Sequence, residues 1–309
     1  MDKEYKIPTW EPGVKQLAPD IYAYIQAKAT WYWSNAGFIV GKDYVVVVDS
    51  LATVGLTERF RDEIRKITDK PIRYLINTHH HGDHTYGNHV FAGATIISHD
   101  YCRHEVIEAG IMDPDLLNAI LPEFDFRGIA ATPAHITFDK QLTLHMDGRE
   151  VRLLHFGLGH TPGDIVVHLP EEGIIFASDF IFLYSTPLGM EGSFAGWLKN
   201  LDVMAKLDAR VYVPGHGPVC GAEGLNLCRD YLVLVRREAK KRFDKGMTVD
   251  QAAKDIDLRQ FKQWPNHERI LPNVERLWWE FRGQDPTTSK LDLIEVLSRM
   301  DAMAKAGEL

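Results

Sequence analysis

Asn77-Thr78-His79-His80-His81-Gly82-Asp83-His84 places four candidate metal donors, His79, His81, Asp83 and His84, within six positions. The run follows Ile72-Arg73-Tyr74-Leu75-Ile76, which reads as a short buried strand, so the donors fall where a strand passes into a loop and then a helix. In extended backbone alternate side chains share a face, so His79 and His81 point at one ion while His80 points away. Gly82 lets the chain bend, and Asp83 and His84 are then placed to face a neighbouring site. Imidazole and carboxylate together suit zinc, and iron and manganese accept similar sets.

Histidine-rich runs also occur as surface tracts with incidental metal affinity, so the reading needs partners elsewhere in the chain. They are His160 in Gly159-His160-Thr161-Pro162-Gly163-Asp164, Asp179 in Phe176-Ala177-Ser178-Asp179-Phe180, and His216 in Val213-Pro214-Gly215-His216-Gly217-Pro218. Each follows or ends an apolar strand-like segment, where a rigid sheet holds ligands in a fixed constellation. His80, His155 and His168 are read as hydrogen-bonding or packing neighbours rather than ligands.

These segments, in this order, resemble the metallo-β-lactamase-fold superfamily. The resemblance rests on the H-x-H-x-D-H run, the Gly-His-Thr-Pro-Gly segment, the apolar strand ending in Asp179 and the Pro-Gly-His-Gly segment, and it covers roughly Ile21 to Val219. Ser34 to Val40 and Val47-Val48-Asp49-Ser50 support it. The resemblance implies an α/β fold, an αββα sandwich with metals at one edge between two sheets. It implies that His79, His81 and His160 hold one ion, that Asp83, His84 and His216 hold a second, and that Asp179 bridges both. Some relatives place a cysteine ligand in the region of Asp179; this chain has no Cys there, and Cys220 reads as structural.

With two divalent cations, two zinc ions by default, the centre would carry net positive charge that welcomes a developing oxyanion. Metal-bound hydroxide would then attack an acyl carbon, with Asp83 as the catalytic residue that orients it. The expected substrate is a small acyl compound: a lactone, ester, thioester or cyclic amide. β-Lactamase activity on the same site is an alternative, as is a non-haem iron dioxygenase or ribonuclease of the same fold. Trp31, Tyr32 and Trp33, on a connection near the expected metals, and Tyr184 are candidate substrate contacts. Segments 111–135 and 181–194, rich in apolar residues, are candidate lids.

Composition bounds the rest. Lys+Arg 35 against Asp+Glu 43 gives net charge −8, which argues against an extended nucleic-acid surface. The basic run Arg236 to Lys245 is interrupted by Glu238 and Asp244 and reads as a solvated helix face. The longest apolar stretches fall far short of the roughly 18 to 20 residues of a membrane helix. The charged start, Met1 to Lys6, lacks an apolar run, so a cytoplasmic protein is expected. Three cysteines fit reduced, buried thiols rather than a disulfide framework.

The first two thirds alternate strand and helix patterns from Ile21 onward; the last third reads as helices over 223–245, 248–256, 267–281 and 289–304, with Thr248 and Ser289 as N-caps and Gly246 and Gly307 as C-terminal glycines. The division expected is a catalytic domain over 1–220 and a helical extension over 221–309. Leu291, Ile294, Leu297 and Met300 form a stripe that packs on the chain's own core or mediates homo-oligomer formation.

Overall fold

The computed structural model describes residues 7–285, 287–288, 291 and 293–306. The first sheet runs in chain order: β1 (Gly13–Ala18), β2 (Ile21–Ile25), β3 (Ala36–Val40), β4 (Val45–Val48), β5 (Ile72–Ile76), β6 (Thr95–His99) and β7 (Ile136–Phe138). β1 to β4 pair antiparallel, and β4 to β7 pair parallel. The second sheet contains β8 (Gln141–Met146), β9 (Arg149–Leu154), β10 (Val166–Leu169), β11 (Ile174–Phe182) and β12 (Val211–His216), in the order β12-β11-β10-β9-β8. Only its β11–β12 pair is parallel.

Strand alternation sorts side chains between layers. Ile21, Ala23 and Ile25 of β2, with Val46 and Val48 of β4, meet Val151, Leu153, Val167 and Phe176 in a core between the sheets. Tyr22, Tyr24, Val45 and Val47 face the other way, beneath α1 (Val54–Ile67). β4 is therefore apolar on both faces, as a central strand must be. α1 begins where the Thr53 side chain accepts Leu56 N, and Arg65 and Lys66 occupy its last turn, complementing the helix dipole. Leu56, Phe60 and Ile64 are its buried stripe; Ile67, the last residue of the helix, is on the same periodicity but 41% exposed.

Phe60 has no exposed surface and stacks on Tyr24 at 4.8 Å between centroids. Phe60→Ala is expected to cost about 3 to 5 kcal/mol of unfolding free energy, read by urea denaturation, through lost contacts and a cavity.

Short helices α2 (Gly82–Thr85), α3 (Asp100–Ala109) and α4 (Pro114–Ile120) complete the first half. α5 (Phe194–Met204), α6 (Ala222–Asp244), α7 (Val249–Asp255), α8 (Ile270–Phe281) and α9 (Leu293–Ala306) lie with the second sheet. Ile175 and Ala177 of β11 share one apolar cluster with Leu201, Tyr231, Leu232, Val235 and Leu277. The architecture is thus an αββα sandwich with a helical C-terminal extension, as expected.

Several expectations meet corrections of detail. β1 is an edge strand, only partly buried, and carries no strong apolar alternation. β11 does not end at Asp179 but runs to Phe182 through a register irregularity at Ser178. α3, α4 and α5 are helices to which the sequence pattern assigns none. α7 has Thr248 as N-cap with a full capping box, and Gly246 sits at φ 72 after α6, as expected. The basic run lies on α6, with Lys240 paired to Asp244 and Lys241 and Arg242 to Glu238. Of the α9 stripe, Leu291 and Met300 are buried in the shared cluster and Leu297 packs against it; Ser289, Gly307 and the side chain of Ile294 lie outside the described residues. Among the described residues no helix is long and apolar enough to cross a membrane.

Candidate metal centre

The site forms at one end of both sheets. β5 delivers His79 and His81 on the loop that follows it, and α2 then carries Asp83 and His84. The β9–β10 connection supplies His160, β11 supplies Asp179, and β12 ends on His216. At Asp179 the local conformation is the device: Ser178 adopts a left-handed φ of 48, and the irregularity it creates turns the next side chain into the site.

The seven residues converge as two groups. His79, His81, His160 and Asp179 offer ligand atoms within 4.8 Å of one another, and so do Asp83, His84 and His216. Asp179 lies between them. Its Oδ2 is 3.5 Å from His160 Nε2, 3.8 Å from His79 Nε2 and 3.6 Å from His216 Nε2, while its Oδ1 is 3.2 Å from His84 Nε2. Asp83 Oδ2 is 3.3 Å from His216 Nε2 and 3.6 Å from His84 Nε2.

His79 Nε2, His84 Nε2 and Asp179 Oδ1 are buried without a hydrogen-bond partner among the described residues. Buried polar atoms normally have one, so atoms that approach one another without bonding fit a cation at their centre. Electrostatics agree. Burial pushes His160 down to about 3 and His79 well below its ordinary value, so both are neutral donors. Burial also opposes charge on His84 and His216, but Asp179 and Asp83 outweigh it and raise both. Burial works against the Asp179 carboxylate too, yet His216 and His84 hold it well below the usual range. Two carboxylates are thus balanced by protons on imidazoles, a role that cations suit equally.

Behind the donors, Asp49 fixes His84. Thr78 N and Oγ1 donate to its two carboxylate oxygens, each at 2.7 Å, and His84 Nδ1 donates to Oδ2 at 2.9 Å, which leaves Nε2 facing the site. Glu191 does the same for the other group. Its Oε2 pairs with His80 Nε2 at 2.9 Å and its Oε1 lies 3.6 Å from His81 Nε2, which leaves His81 Nδ1 on the side of the donor group, 3.0 Å from His160 Nε2. Although burial opposes its charge, His80 and His81 hold Glu191 well below the carboxylate range. Glu191→Ala is expected to weaken metal affinity by about 10- to 100-fold, measured by chelator competition.

A cavity of about 550 Å³ opens above these groups. Trp31 and Tyr32 line it, with Met112, Leu117 and Ile120 from segment 111–135, Leu188 and Met190 from segment 181–194, and Leu297 and Met300 from α9. Trp33 and Tyr184 are placed elsewhere: Trp33 Nε1 donates to Glu123 and its ring packs on Phe124, while Tyr184 packs on Trp10 and Trp264. Tyr32 sits at φ 60, and this reversal sends neighbouring rings in different directions. His155 bonds to the Asp164 carbonyl and stacks on His99 at 3.9 Å. Sequence reasoning gave no role to Asp49, Glu191 or Arg269, which also lines the cavity. Asp49 ends an apolar strand as the other site loops do, and that signal was available. Glu191 and Arg269 carry no local pattern.

Fold and donor set together define the class. The family model described as the metallo-beta-lactamase superfamily matches residues 29–216, and the chain belongs to that superfamily. Among curated relatives it is 24% identical over 256 residues to a linear primary-alkylsulfatase of Pseudomonas sp. (strain ATCC 19151), covering 69% of this chain and 48% of the relative. It is 26% identical over 220 residues to a metallo-beta-lactamase type 2 of Bacteroides fragilis, covering 68% of this chain and 81% of the relative. The solved sec-alkylsulfatase Pisa1 of Pseudomonas sp. superposes with a TM-score of 0.66 at 17% identity, over 96% of this chain and 57% of that one. That match takes in the helical extension. The chain spans about half the length of the alkylsulfatase relative.

Proposed function

We propose that the protein is a dinuclear, zinc-dependent hydrolase of small organic compounds with an apolar body. The observation that supports this is that Asp179, grouped with His79, His81 and His160, also lies 3.2 Å from His84 Nε2 and 3.6 Å from His216 Nε2, on the floor of a largely apolar cavity. In this reading His79, His81 and His160 would hold one ion and Asp83, His84 and His216 the other, with Asp179 available to both. Bound there, the ions would lower the pKa of water from 15.7 to about 7 and draw charge from the bond under attack.

The chain's own residues do the rest. Asp83 keeps 12% of its side chain exposed to the cavity, against 4% for Asp179, so Asp83 is the carboxylate that reaches an incoming water. It orients that water and hands its proton to the leaving group. Trp31, Leu117, Ile120, Leu188 and Met300 exclude bulk solvent and grip an apolar substrate, in a volume that suits a small molecule. In this division 1–220 would hold the ions and supply most of the wall, and 221–309 would close it with Glu268, Arg269, Leu297 and Met300.

The substrate class under this reading is an ester, lactone, thioester or cyclic amide. The alkylsulfatase match across the helical extension favours a second reading, cleavage of an alkyl sulfate ester. A panel of a lactone, a thioester, an aryl ester, a chromogenic β-lactam and an alkyl sulfate, run on zinc-loaded protein, separates the two. Elemental analysis showing one iron per chain, with oxygen uptake, would overturn both.

A further inference from the structure

Arg269 ends a single turn, His267–Arg269, from which α8 continues, and it is only 2% exposed. Its Nη1 donates to the Thr186 carbonyl at 2.8 Å and reaches Ser185 Oγ at 3.4 Å. Its other N–H groups have no hydrogen-bond partner among the described residues, and Nε is fully buried. No carboxylate of the described residues comes within 4.0 Å of it. The neighbouring Glu268 is turned away, accepting instead from Trp31 Nε1 at 2.8 Å and Asn266 Nδ2 at 3.3 Å. The guanidinium lies over the Trp31 ring at 4.1 Å and approaches Phe182 at 5.8 Å, both in the cavity wall.

Anchoring a loop carbonyl needs only a neutral donor. A buried cation is costly without a counter-charge, and stacking on an aromatic face recovers only part of that cost. Burial lowers its pKa to about 10, with Glu268, Asp179 and Asp83 opposing, so it stays charged at neutral pH. Once cations neutralise Asp83 and Asp179, those carboxylates no longer offset it. Arg269 is then a positive group in the wall of a cavity whose floor holds the reacting centre.

We propose that Arg269 is the anchor for an oxyanion carried by the substrate, a carboxylate or sulfate group attached to the apolar body. The inference rests on the reading above only for the cavity being where substrate lies. It turns that reading into a preference for anionic over neutral compounds of equal size, with Trp31 holding the guanidinium plane and its free edge donating to the anion.

Calorimetric binding to zinc-loaded protein tests it, using 4-phenylbutyrate, hexyl sulfate and the neutral 4-phenylbutyramide as probes. Wild type is expected to bind at least one anion about 10-fold or more tightly than the amide. In Arg269→Met that preference disappears while amide binding and zinc content hold; Arg269→Lys keeps part of it. The tighter of the two anions names the group. A wild type that binds both anions no better than the amide overturns the proposal even where Arg269→Met fails to fold. So does a preference that survives in Arg269→Met, which would place the anion on the ions alone. 4-Phenylbutyrate holds no ester to cleave and its binding is read without turnover, so a protein that shows the preference but hydrolyses nothing on the panel sinks the hydrolase reading and leaves this one standing.

Discussion

Zinc-loaded protein carrying Asp179→Ala is expected to retain fewer than about one ion per chain and to lose at least about 10³-fold in kcat/KM, roughly 4 kcal/mol on the barrier. Asp179 approaches both donor groups, so in the proposed centre its removal would take a ligand from each ion and leave five imidazoles with Asp83 as the one remaining carboxylate of the set. Metal content by elemental analysis reads the effect without turnover, and circular dichroism separates it from unfolding. Asp179→Asn keeps the shape and one oxygen but not the charge, and should fall between. Full zinc occupancy with full activity in the alanine variant would remove Asp179 from the centre, and the dinuclear reading with it.

Gly215→Ala is expected to do smaller but still large damage from one residue outside the donor set. A Cβ at Gly215 would overlap Asp179 Oδ1 and stand 2.9 Å from its Cγ and backbone N. The loop has nowhere to retreat: Gly215 O accepts Asn35 N at 2.7 Å, and Asn35 Nδ2 donates to the Pro214 and Gly217 carbonyls at 2.9 and 2.7 Å. The carboxylate must move instead. A displacement of this size costs about 10²-fold in rate, and overpacking costs about 1 to 3 kcal/mol of stability. Activity and thermal unfolding of the zinc-loaded variant check both. Wild-type kinetics would mean that Asp179 tolerates displacement, contrary to its proposed role.

The candidate donors were legible because metal-site chemistry is local at strand ends. Alternation places His79 and His81 together over three residues, and short glycine-containing loops mark His160 and His216. Asp179 was found by its apolar strand, although that strand runs past it. Glu191 and Arg269 were not legible for a physical reason. Each reaches the cavity through long-range docking: Asn273 of α8 accepts Gly189 N at 2.6 Å and donates to Pro187 O at 2.8 Å, which seats the loop bearing Glu191. No spacing rule encodes such a contact. The aromatic cluster misled in part for a similar reason, since the left-handed Tyr32 splits three consecutive rings between the cavity wall and the packing around Phe124 and Phe126.

Leu297 and Met300 of α9 stand in the cavity wall, more than two hundred residues along the chain from His79. A ribosome that has made every candidate donor has therefore not yet made the chamber. Substitutions in the final helix would inherit the same separation, reshaping what the chamber admits without touching the residues that would do the chemistry.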